Sequence, residues 1–161
     1  MAFTTPGAIR DALIARVAAL APALESRTRF TVWREDGDFR QWAVGAAAAC
    51  LRRFTVEVAG DTSAPEVSST VFERVRETMA IVVAYPDTLR QGSRKGLDDL
   101  IASDLERITY YAGTNGCAIT PLIADVGLVV VSGTHRRERD TTSGVVFGVI
   151  PIDVSYLRSA P

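Results

Sequence analysis

Seven consecutive residues near the middle of the chain, Met79 to Tyr85 (MAIVVAY), carry no charge and put apolar side chains on both faces of an extended backbone. Met79, Ile81, Val83 and Tyr85 share one face, while Ala80, Val82 and Ala84 share the other. A strand of that kind has to be covered on both sides, so the fold must be layered around it. Extended character begins at Thr70, and Pro86-Asp87 stops it.

The elements around this strand follow from periodicity. Before it, Thr5 is placed to cap a helix and Pro6 suits the first helical position. Ile9, Leu13, Val17 and Leu20 recur at helical spacing, and Pro22 ends the helix. Arg29–Arg34 reads as a strand and Glu35–Asp38 as a turn. Residues 43–51 are ambiguous, because the alanines favour a helix but the stretch is short and holds Gly45. Arg53–Val58 alternates cleanly and predicts a half-buried strand.

After the central strand, Leu97, Leu100, Ile101, Leu105, Ile108 and Ala112 form the apolar stripe of a second helix, closed by Gly113, Asn115 and Gly116. Val126–Thr134 and Val145–Tyr156 then read as an antiparallel pair joined by a charged turn, His135–Asp140. In the last strand Val145, Phe147 and Val149 alternate, and Ile152, Val154 and Tyr156 resume past Pro151. That proline therefore predicts a bulge or an edge position. The expected fold is α+β, a single domain over 1–161 with a mostly antiparallel sheet and two helices packed on one face. Mobile loops are expected at 35–42, 59–69 and 135–144.

Length and charge narrow the function classes. A chain of 161 residues buries a core without staples. Eighteen basic residues against 19 acidic ones leave a net charge of −1, without the basic excess expected of a phosphate-gripping protein. The apolar runs Met79–Tyr85 and Val126–Val131 fall far short of the roughly 20 residues needed to span a bilayer. The N-terminal sequence lacks the pattern of a secretory signal. Cys50 and Cys117, 67 residues apart, are read as two buried thiols in a reducing compartment, with a disulfide as the alternative.

Catalytic and metal chemistry find little to work with. His135 is the only histidine and lies in the charged stretch HRRERD. Asp98 and Asp99 are adjacent helical positions about 100° apart, so they diverge, and they suit the positive end of a helix dipole. EDGDF lacks the ligand spacing of a calcium loop, and no Gly-rich phosphate loop is present. No catalytic, metal or cofactor-binding residue is assigned. Arg136, Arg137 and Arg139 form the most prominent charged cluster, either a solvated hairpin tip or a contact loop for a partner chain or passing DNA. Arg52-Arg53 and Arg94-Lys95 pose the same question more weakly. Trp33 and Trp42 are core residues or interface anchors.

Four features in order resemble the tail terminator, or tail completion, proteins of long-tailed bacteriophages and phage-like particles. They are the amphipathic helix AIRDALIARVAAL, the extended run ETMAIVVAYPDT, the helix LDDLIASDLERITYYA and the closing strand VVFGVIPIDVSYLRS. Together they cover about two-thirds of the chain; the stretch between residues 22 and 70 does not map. The resemblance implies a structural virion protein, not an enzyme. It would form a hexameric ring, cap the tail tube, end its polymerisation and join tail to head, with DNA passing through. Its implied partners are further copies of itself, tail tube protein and head-neck proteins. Its implied location is the virion tail, after assembly in the bacterial host cytoplasm. Another head–tail joining protein is the near alternative. A cytoplasmic binding module, or a small enzyme binding a polar ligand through Arg136, Arg137 or Arg139, is the distant one.

Overall fold

The computed structural model describes residues 5–24, 27–58, 66–67, 72–87, 94–112, 128–131, 135–140 and 142–159. In chain order the elements are α1 (Pro6–Ala19), β1 (Thr31–Val32), α2 (Phe39–Gly45), a 3-10 turn (Ala47–Ala49), β2 (Arg53–Val58) and β3 (Glu66–Val67). They continue with β4 (Phe72–Pro86), α3 (Arg94–Ala112), β5 (Leu128–Val131), β6 (Arg136–Asp140) and β7 (Val145–Ser159). The fold is α+β. All seven strands join one sheet, ordered β1-β2-β4-β7-β5, with β3 alongside β4 and β6 alongside β7. The sheet is mixed, because β1 pairs with β2 in parallel while the other described pairings are antiparallel.

The doubly apolar run lies in the middle of this sheet. Strands β4 and β7, 15 residues each, pair along their whole length from Phe72↔Ser159 to Pro86↔Val145. Side chains alternate across the pleat, so Met79, Ile81, Val83 and Tyr85 join one core cluster and Val82 and Ala84 join another.

The first cluster lies under α1 and α3. From α1 it takes Ile9, Leu13, Ile14 and Val17, and from α3 Leu97, Leu100, Ile101, Leu105 and Ile108. Thr5 caps α1 as expected, its Oγ1 accepting from the Ala8 amide at 3.2 Å, with Pro6 at the first helical position. The helix ends at Ala19, and Leu20 is already extended. Where α3 crosses β7, Gly148 makes room: a Cβ there would stand 2.5 Å from Leu105 Cδ2.

The opposite face departs from expectation. Two helices do pack on one face, but a third, α2, lies over the other, within the segment read as the loop 35–42 and the ambiguous stretch after it. Phe39 and Ala43 of α2 join Cys50, Val82, Ala84, Val145, Phe147 and Val149 in the second cluster. Asp38 caps the helix, its Oδ1 accepting from the Gln41 amide at 3.0 Å. A single polar-to-apolar turn is a weak periodic signal, which is why the sequence reads more easily as loop.

Two further expectations change. The strand expected over Arg29–Arg34 is only Thr31–Val32. Pro151 causes no bulge: it pairs in unbroken register with Ala80, so Val145, Phe147 and Val149 face α2 while Ile152, Val154 and Tyr156 face α1 and α3. The proline falls between the part of β7 paired with β6, ending at Val149, and the part paired with β5, starting at Ile152. No described strand pairs with β7 there on that side, so of the two expectations for the proline the edge position holds locally and the bulge does not. Most of the 59–69 segment, Cys117, and the helix-closing Gly113, Asn115 and Gly116 lie outside the described residues.

Candidate interaction surface

The stretch HRRERD is not a turn. Its last five residues form β6, paired with β7 from Arg136↔Val149 to Asp140↔Val145. The turn lies beyond it, closed by Gly144, whose positive φ of 69° suits a residue without a Cβ. Asp140 Oδ1 accepts from the amides of Thr142 and Ser143 at 2.9 and 3.2 Å, and these bonds hold its carboxyl below the usual value.

Strand alternation sends the β6 side chains to opposite faces, and each arginine meets an acid. On the α1–α3 side, Arg137 Nη1 lies 3.1 Å from Asp98 Oδ1 near the start of α3. Arg139 Nη2 lies 3.6 Å from Asp87 Oδ1, just past β4. On the α2 side, Arg136 Nε lies 2.8 Å from Glu138 Oε1. Glu138 also pairs with Arg40 of α2, whose Nε reaches Glu57 of β2 at 3.4 Å. Hydrogen bonds from Arg40 and then Arg136 hold the Glu138 carboxyl below its ordinary value.

Arg40 thus spans the sheet between a carboxylate on β2 and one on β6, its guanidinium carbon 5.3 Å from the Phe147 ring centre. Beside it the aromatic side chains gather. Trp33 lies 5.6 Å from Phe39 and 6.0 Å from Trp42 between ring centres, and Phe39 meets Phe147 edge-on at 6.3 Å. Both tryptophans are half-buried, so each is part core and part surface. The indole Nε1 of Trp33 is buried without a hydrogen-bond partner among the described residues. An open groove of about 710 Å³ runs between α2 and β6, lined by Asp38, Arg40, Gln41, Val44, Glu138, Arg139, Asp140 and Phe147.

The five residues singled out from sequence are therefore divided by the fold. Trp33, Trp42 and Arg136 belong to the α2 face, beside the Arg40–Glu138 pair, while Arg137 and Arg139 lie on the α1–α3 side. Sequence reasoning missed Arg40, Phe39 and Phe147. The signal was available in Asp38 as a cap followed by apolar Phe39, Trp42 and Ala43 at helical spacing.

Arg52, read from sequence as part of a weaker surface cluster with Arg53, is instead buried in the core. Arg52 and Asp104 are both fully buried and pair through two bonds: Nε to Oδ2 at 2.7 Å and Nη2 to Oδ1 at 3.0 Å. The Tyr85 hydroxyl donates to Asp104 Oδ2 at 3.2 Å. The remaining Arg52 donors reach the carbonyls of Thr28, at 2.8 Å, and Leu24. Arg52 adopts φ 56°, a left-handed backbone that is strained for a residue with a Cβ. Burial pushes the Asp104 carboxyl up, and the Arg52 bonds and charge pull it back. Burial, reinforced by Asp104, raises the Tyr85 hydroxyl well above its usual value. A bidentate pair of this kind, with further bonds to backbone carbonyls, locks a loop and a helix to a strand. Neither side chain of the pair has exposed surface, and its bonds tie structure together.

Among the described residues no three His, Cys, Asp or Glu side chains gather as a metal site, and no helix is long and apolar enough to cross a membrane. Asp99 is exposed and apart from the Arg137-bound Asp98, and His135 is half-buried just before β6. Cys50 is buried and unpaired; its thiol donates to the Ala47 carbonyl at 3.3 Å, and burial raises it to about 11. Neither the known protein families nor the curated proteins contain a match to this chain.

Proposed function

We propose that this chain is a structural protein that works by docking, specifically a tail terminator of a long-tailed phage or phage-like particle. It assembles as a ring, caps the tail tube, ends its polymerisation and joins tail to head. The observation that carries the reading is the full-length β4–β7 ribbon with α1 and α3 on one face. It has the same order of helix, strand-proline, helix and closing strand on which the resemblance rests.

The chemistry on the other face supports docking over catalysis. It consists of arginines, tryptophans and phenylalanine, residue types enriched where proteins meet. The arginines that a polar-ligand enzyme would use each face an acidic neighbour, and this lowers support for that alternative. A closed ring is a heterologous assembly that needs two different surfaces per subunit. The α2–β6 face and the α1–α3 side are two such surfaces.

The test is the solution mass with negative-stain imaging, of the protein alone and with tail tube protein added. Six-fold rings in either condition support the proposal. A monomer that persists at high concentration and ignores the tube protein overturns it.

A further inference from the structure

We propose that residues 37–46, built around α2, form a salt-sensitive cap that detaches from the sheet as a unit and uncovers an apolar strip while the rest of the molecule stays folded. The inference concerns the fold itself and stands apart from the tail terminator reading.

Among the described residues the two sheet faces are covered very unequally. On one, α1 and α3 bury nine apolar side chains, four from α1 and five from α3. On the other, α2 is seven residues long and buries two, Phe39 and Ala43. A two-turn helix has no stability of its own and depends on its contacts. Those contacts are of two kinds. Trp33, Phe39 and Trp42 pack on one another and Phe39 meets Phe147, with both tryptophans half-exposed. The ion pairs from Arg40 to Glu57 and Glu138 are the side-chain ties holding the helix across the sheet, with partners 41% and 34% exposed. Ion pairs that wet are screened by salt.

The ends of the segment can swing. Gly37 adopts φ 114° with open space where a Cβ would stand, and Gly45 is likewise unobstructed. Underneath lie Val82, Ala84, Val145, Phe147 and Val149, all buried. They belong to the β4–β7 ribbon, which is held from its other face and along its full length. Loss of the cap therefore leaves the ribbon standing. Local openings of this kind draw on segments with few buried contacts.

The two tryptophans of the chain both sit in this cluster, Trp42 on the cap and Trp33 on the sheet edge it leans against, so their fluorescence reports the contact between cap and sheet. The experiment measures acrylamide quenching of the full-length protein beside its far-UV circular dichroism, for wild type and Arg40→Gln. Between about 0.05 M and about 1 M NaCl, quenching of wild type should rise about twofold while far-UV dichroism loses no more than the small helical contribution of the seven-residue α2. The R40Q protein should already quench at the higher level in low salt and respond little to more. Quenching that stays flat in salt until dichroism is lost overturns the proposal. So does a salt response that R40Q shares in full, because Arg40 would then not be the catch. Should R40Q fail to fold, the wild-type salt series decides.

Discussion

At the scale of single residues, the buried Arg52–Asp104 pair is the strongest constraint on the chain. Removing one partner leaves an uncompensated charge in the core, which costs about 3–5 kcal/mol, whereas replacing both by apolar groups of similar volume is often close to neutral. Arg52→Met should therefore lower stability by that amount in denaturant melts. The double variant Arg52→Met/Asp104→Leu should recover most of it, and losses that simply add would refute the coupling. Gly148→Val should cost about 1–3 kcal/mol by overpacking against Leu105, read as a lowered melting temperature. Asp104 was partly legible beforehand. It falls at helical spacing inside the stripe Leu97, Ile101, Leu105, Ile108, where a carboxylate demands a partner. Which partner could not be read, because Arg52 lies 52 positions away.

At the scale of elements, α2 and β6 carry what the local sequence obscured. Asp38→Ala removes the cap on α2 and should cost about 1 kcal/mol. Glu138 adds a pH dependence of definite sign. Its carboxyl is held below its ordinary value in the folded protein by Arg40 and Arg136. Its contribution is complete above that value and is lost as pH falls through the lower folded value. Tryptophan emission should accordingly shift on acidification, and Glu138→Gln should abolish that part of the shift. Strand β6 was hidden because its alternation is charged on both faces, which suits an edge strand that must not recruit another. Its arginines are partly exposed, and such pairs contribute at most about 1 kcal/mol each. Replacing Arg136, Arg137 and Arg139 together with Ser should thus leave a folded protein, checked by circular dichroism. If the docking reading holds, particle assembly should suffer. Normal particles from that variant would count against β6 as a contact element.

At the scale of the whole molecule, the sheet has two faces of different character, one covered by long helices and one by a short cap beside an open groove. The ring proposal and the cap proposal make separate demands on it, since assembly is read by mass and the cap by fluorescence. The sequence by itself determined α1, β2, β4, α3 and β7 and the α+β class, because each has a long periodic pattern and periodicity is a local property. It determined too that the β4 run is covered on both sides. Only the tertiary structure decided what covers the second side, the parallel placement of β1, the unbroken register through Pro151, and the partners of Arg40, Arg52 and the β6 arginines. Those depend on which distant segments meet. A strand's register is set by the neighbour it pairs with, and an ion pair by two side chains whose separation along the chain carries no information about their separation in space.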